Sequence, residues 1–316
     1  MEDFNNAQYC YQDRNSSCKT YSLSTSIYIT LYIFFSLVSA VTVFLNLLVI
    51  ISISQFKQLH TPTNLLILSL AVSDLLVGLI VIPAMTVAIM ESCWVIGEYF
   101  CALHMYITLL SASSSLGNLV LISVDRYVAV CDPLMYHLKI TLTRIKCWIL
   151  KTWCCCIIYD AVLIKISVNV QVPSRCFEEC FFVEGHTWVN IMDLIITVAL
   201  PCSIILTLYL KIFLVARSQA QKVFSKTLSG VKTLEANKSE RKAAKTLGIV
   251  IFNYLICWIP IYFTQLIYFA TGDSSSIFMC FLPLMNSFIN PIIYAFFYPW
   301  FKVTIKHVLT LKSGHL

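Results

Sequence analysis

Seven long apolar runs decide what this chain can become. They cover about residues 25–53, 62–90, 98–131, 145–168, 187–217, 241–269 and 276–298. Each exceeds the roughly 20 residues that an α-helix needs to cross about 30 Å of hydrocarbon. In lipid only helices and closed barrels satisfy their own backbone, and these runs are far too long for barrel strands. The expectation is an all-α membrane protein. A seven-transmembrane helix bundle occupies 24–298, after an extracellular segment over 1–23 and before an amphipathic helix and cytoplasmic tail over 299–316. Composition agrees: the chain is 59% hydrophobic and 12% charged, about half the charged fraction of a soluble domain.

Charge sets the orientation. Threaded through seven spans, 18 of the 22 lysines and arginines fall on one side, and the positive-inside rule makes that side cytoplasmic. An odd number of spans then puts the N-terminus outside and the C-terminus inside. The first run follows a polar leader and is long enough to act as a signal anchor. The net charge of +6 does not imply a nucleic-acid partner, because the basic residues are dispersed over membrane-flanking loops. Lipid is the expected surroundings. Asn15-Ser16-Ser17 becomes a glycosylation acceptor outside, whereas Asn237-Lys238-Ser239 faces the cytoplasm and should stay unmodified.

Cysteines divide by compartment. Cys10, Cys18, Cys101, Cys176 and Cys180 lie in outer segments, where disulfides persist. Cys131, Cys147 and the run Cys154-Cys155-Cys156 read as apolar fillers, since no zinc-type spacing accompanies them. Nothing suggests a catalytic triad, a phosphate loop or a metal centre, so the chain is not expected to be an enzyme. In the tail, Trp300, Phe301, Ile305, Val308 and Leu309 alternate with Lys302, Lys306 and Lys312, which suits a helix lying in the membrane interface.

Polar residues inside the spans are costly and therefore point to function. Asp74 stands mid-span, and Asn46, Ser115, Asn286, Ser287 and Asn290 are its prospective neighbours, an arrangement suited to an ion or proton site. Asp125-Arg126-Tyr127 closes span three, Cys257-Trp258-Ile259-Pro260 kinks span six, and Asn290-Pro291-Ile292-Ile293-Tyr294 closes span seven. Arg126 needs a carboxylate partner, with Asp125 and Glu240 as candidates. Pro260 removes a backbone donor and so makes a hinge.

In this order, in these spans, the motifs resemble the rhodopsin-like G-protein-coupled receptors over nearly the whole chain. Finer features are similar to the trace amine-associated receptors: the run from Asn286 to Pro291, Ala295-Phe296-Phe297-Tyr298-Pro299-Trp300-Phe301, Ser92-Cys93-Trp94, and Glu240-Arg241-Lys242-Ala243-Ala244-Lys245. The resemblance implies a multi-pass plasma-membrane receptor for a small ligand. It implies a heterotrimeric G protein of the stimulatory type, arrestin and receptor kinases as partners, and use in olfaction. It also implies an allosteric sodium ion at Asp74, with Ser115, Asn286, Ser287 and Asn290 around it, and no other cofactor. Activation would release Arg126 from Glu240, swing span six outward about Pro260, and turn Tyr209 and Tyr294 inward. A disulfide between Cys101 and Cys180 is implied too, with Cys176 joining Cys10 or Cys18; the sequence leaves the connectivity open.

One departure matters. Aminergic receptors pair the ligand ammonium with an Asp seven residues after the Cys at the outer end of span three; here that place is Thr108, which is neutral. Span seven is altered as well, with Phe281 and Leu284 where amine-enclosing aromatics usually stand. A substitute carboxylate is Asp193, eight residues before Pro201 in span five, where some fish members of the family carry theirs. Asp160, seven residues after Trp153 in span four, is a second carboxylate that shares the neighbourhood, with Lys165 as a possible neutralising partner. Two carboxylates in a low dielectric repel, and a cationic ligand relieves that. Thr108, Thr197, Trp258 and Tyr262 complete the expected ligand site, with Trp188, Phe263 and Tyr268 as further aromatic candidates. The expected function is the sensing of small cationic amines through Asp193. The alternative is a receptor of the same class for a non-amine ligand; a seven-helix transporter is remote, as no inverted repeat is visible.

Overall fold

A backbone in lipid has no water to bond with, so the apolar runs close their own hydrogen bonds as helices. The computed structural model describes residues 24–90, 96–168, 187–225, 248–260, 281–297 and 301. Helix α1 is Thr25–Gln55. Helix α2 comprises Pro62–Leu76, a π-helical turn Val77–Val81 and Ile82–Met90. Helices α3 and α4 are Glu98–Cys131 and Leu142–Val168. Helix α5 comprises Thr187–Leu194, a π-helical turn Ile195–Ala199 and Leu200–Ser225. The described parts of α6 and α7 are Gly248–Pro260 and Leu282–Phe297. Five of these, α1 to α5, are long and apolar enough to cross a membrane. The amphipathic tail helix lies outside the described residues, apart from Phe301, which is buried in the core.

Local chemistry sets the ends and the irregularities. Thr61 caps α2 by accepting the Asn64 N–H at 3.2 Å, and Pro62 at the first position loses no bond. Both π turns sit just ahead of a proline, Pro83 and Pro201. A proline lacks the N–H that the preceding turn would use, and the chain absorbs the loss by widening one turn.

Helix α3 is the centre of the bundle, packed against α2, α4 and α5, while α1 leans on α2 and α7. The inward faces mix apolar side chains with small and polar ones. On α1 the buried row includes Thr42, Asn46 and Ser52, while Ile33, Phe34, Leu37, Phe44 and Leu47 point outward. That inversion suits a bundle in lipid, where close backbone approach and hydrogen bonds replace the hydrophobic drive between helices. A Cβ on Gly117 would come within 2.5 Å of Thr152 Cγ2, so α3 and α4 touch there only because the residue is glycine. The main core gathers Leu66, Leu70, Leu116, Leu119, Ile122, Tyr254 and Tyr294.

Candidate functional site

Three polar groups occupy three depths of the bundle. The central one surrounds Asp74 on α2, which is fully buried. Ser287 Oγ donates to Asp74 Oδ1 at 2.7 Å, and Asn290 Nδ2 donates to Oδ2 at 2.9 Å. Asn290 Nδ2 also reaches Asn286 Oδ1 at 3.3 Å. Ser115 approaches by another route, donating to Ser73 Oγ at 3.1 Å rather than to the carboxylate. Asn46 Nδ2 ties α1 to the Ser287 carbonyl at 3.1 Å. Asn253 on α6, which the sequence did not single out, donates to Asn290 Oδ1 at 3.4 Å. Among the described residues no Lys, Arg or His forms an ion pair with Asp74. Both oxygens of this buried carboxylate are thus met by neutral donors, one hydroxyl and one amide N–H.

The cytoplasmic group centres on Asp125. Arg126 donates to Asp125 Oδ2 from Nε at 3.0 Å and from Nη2 at 2.7 Å. Thr63, at the start of α2, accepts from Arg126 Nη2 at 2.6 Å and donates to Asp125 Oδ2 at 2.9 Å. Tyr136, in the one-turn helix Tyr136–Lys139, donates to Asp125 Oδ1 at 2.8 Å. Burial, then the adjacent Asp125 charge, pushes the Tyr136 phenol up to about 12, so it remains a donor at neutral pH. Tyr127 faces α5, with Lys211 Nζ 5.8 Å from its ring centroid. Tyr294 is fully buried in the main core and Tyr209 packs against that core. Glu240, the other candidate partner of Arg126, lies outside the described residues. Thr63 and Tyr136 escaped the sequence reading because neither carries charge and Tyr136 sits in a loop without periodicity.

The outer group lies between α3, α4 and α5. Asp193 is half-buried, and Tyr159 Oη on α4 donates to its Oδ1 at 2.9 Å. Thr197 Oγ1 donates to the Asp193 backbone carbonyl at 2.7 Å, a bond within the helix. Asp160 is 1% exposed and accepts from Ser113 Oγ of α3 at 2.7 Å. Lys165 is exposed and forms no ion pair with Asp160.

Thr108 is half-buried and turns its hydroxyl back to the His104 carbonyl at 2.8 Å. Trp258 stacks on Tyr254, with ring centroids 5.5 Å apart, at the floor of this region. Trp188 is 63% exposed and so lies on the outside of the bundle. Phe281 stacks on Phe35 of α1 at 4.1 Å, and Leu284 packs with Val38, Val77 and Ile82, so both belong to the α1–α2–α7 contact. Tyr262, Phe263, Tyr268, Cys10, Cys18, Cys176, Cys180 and Asn15 lie outside the described residues. Cys101 is disulfide-bonded, and its partner is among the residues not described. Tyr159 and Ser113 were missed in the sequence because a hydroxyl in an apolar run is common and says nothing alone.

Comparison with known proteins matches this arrangement. Residues 45–294 match the model of the 7 transmembrane receptor (rhodopsin family). The chain is 35% identical to trace amine-associated receptor 13c of Danio rerio, over 98% of this chain and 94% of that one. It is 39% identical to trace amine-associated receptor 5 of Rattus norvegicus, over 96% and 91%, and 39% identical to trace amine-associated receptor 6 of Homo sapiens, over 96% and 92%. Receptors of this kind are multi-pass plasma-membrane proteins that take a small ligand and act on a G protein; they are not enzymes. With its seven apolar spans, its Asp125-Arg126-Tyr127 cluster and matches along nearly its whole length, the chain belongs to the trace amine-associated receptors of the rhodopsin family.

Proposed function

We propose that this receptor senses small cationic amines and anchors their ammonium on Asp193. The observation that carries the reading is a half-buried carboxylate on outer α5 with no cationic partner among the described residues, in a chain whose span-three position is the neutral Thr108. A desolvated carboxylate without a counter-ion is held at a cost, and an alkylammonium removes that cost while excluding neutral competitors. Thr108, Thr197, Trp258, Tyr262 and Asp160 would surround the ligand. The signal would pass through Trp258 and Pro260 to Arg126, Glu240, Tyr209 and Tyr294. The N-terminus would face outward. A stimulatory G protein, arrestin and receptor kinases are the proposed partners, with sodium at Asp74 as an allosteric ion and olfaction as the setting.

The test is amine-evoked cyclic AMP at matched surface expression. Asp193→Asn should lower amine potency by 100-fold or more, on the scale of about 3–5 kcal/mol for removing one partner of a buried ion pair. Asp160→Asn should lower it far less. An unchanged amine response in Asp193→Asn overturns the assignment. A second reading, a non-amine ligand, is favoured by Thr108 alone, and a receptor silent to amines but responsive to neutral compounds would support it.

A further inference from the structure

We propose that Tyr159 determines which ammonium ions this receptor accepts, by occupying one oxygen of the Asp193 carboxylate and leaving the ligand the other. The inference rests on the reading of Asp193 as the anchor and adds a specificity residue to it. Tyr159 reaches Asp193 Oδ1 from α4 at 2.9 Å, a side-chain bond that joins α4 to α5. Thr197, one turn along α5, donates to the Asp193 backbone carbonyl at 2.7 Å from beside the carboxylate. Asp160, the next residue of α4, is held separately from α3 by Ser113 at 2.7 Å. The phenol therefore fixes the direction of the carboxylate and takes one of its acceptor positions.

The consequence is a count of N–H donors. A primary ammonium has three and gains from two free oxygens. A dimethylalkyl ammonium has one and needs only one oxygen. With Tyr159 in place one acceptor position is already taken, so a primary ammonium gains less from its extra N–H donors and the site distinguishes the two kinds weakly. Without it the primary ammonium takes the vacated oxygen, while the tertiary one meets a carboxylate that has lost its orientation.

The experiment compares hexylamine with N,N-dimethylhexylamine on the full-length receptor in cells, read by cyclic AMP at matched surface expression. In Tyr159→Phe the tertiary amine should lose about 10-fold in potency, the scale of one hydrogen bond to a charged group, and hexylamine much less. Tyr159→His, which retains a donor, should restore most of the wild-type ratio. In the Asp193→Asn background, Tyr159→Phe should add nothing. The same ratio can be read on isolated membranes as amine-dependent thermal stabilisation, which does not depend on delivery to the cell surface. If Asp193→Asn loses both responses while Tyr159→Phe leaves the ratio unchanged, Tyr159 is only a staple between helices: the proposal fails and the anchor stands. If Asp193→Asn keeps both responses, or neither amine acts on the wild type, the anchor reading fails and this proposal with it.

Discussion

At the scale of single residues, Asp125 has more partners than any other carboxylate described. It holds Arg126 through two nitrogens, and Thr63 and Tyr136 fix it from the start of α2 and from the loop after α3. An arginine held in this way is withheld from a G protein. Loosening its partner should therefore raise signalling without ligand. Tyr136→Phe should increase basal cyclic AMP several-fold, within the ceiling of about 1.5–3 kcal/mol for a hydrogen bond to a charged group. Thr63→Val should do more, since Thr63 bonds both members of the pair. Equal basal levels at equal surface density would refute this. Asp74 offers a second residue-level test. Replacing sodium by potassium should raise agonist affinity in the wild type and leave it unchanged in Asp74→Asn; a wild type indifferent to the exchange would remove the proposed ion.

Among whole elements, the contact between α3 and α4 is the most exacting, because Gly117 lets Thr152 approach its backbone. Gly117→Ala places a methyl 2.5 Å from Thr152 Cγ2. Overpacking of this kind costs about 1–3 kcal/mol, which should appear as a lower melting temperature of the solubilised receptor. Thr152→Ser removes the offending methyl and should rescue most of the loss; a double variant no better than the single would refute the steric account. The elements were largely legible in the sequence. Hydropathy located α1 to α4 and the start of α5 to within about three residues, because a span in lipid is bounded by the cost of exposing its backbone; α5 runs on past the expected end at 217, to Ser225, where the sequence turns polar. The widened turns at Val77–Val81 and Ile195–Ala199 were not legible. Pro83 and Pro201 announce some disturbance, but whether a helix bends, breaks or gains a residue depends on the neighbours that take up the freed carbonyls.

For the molecule as a whole, the bias of 18 basic residues out of 22 toward one side fixes the expected topology. An epitope at the N-terminus should stain on intact cells, and one at the C-terminus only after permeabilisation; the reverse pattern would overturn the assignment. The site was half legible at this scale. Charged residues in lipid are rare enough that Asp74, Arg126, Asp160 and Asp193 declared themselves. Their partners did not, because Thr63, Ser113, Asn253 and Tyr159 gain meaning only once the fold sets them opposite a carboxylate. The chain of bonds from Asn253 through Asn290 to Asp74, Ser287 and Asn46 joins α6, α7, α2 and α1. At the buried end of that chain a lost partner is costly, which favours exchanging contacts together over losing them one by one. A core wired in this way resists sliding by degrees; it holds one pattern of partners until a second, complete pattern is within reach, and then it changes all at once.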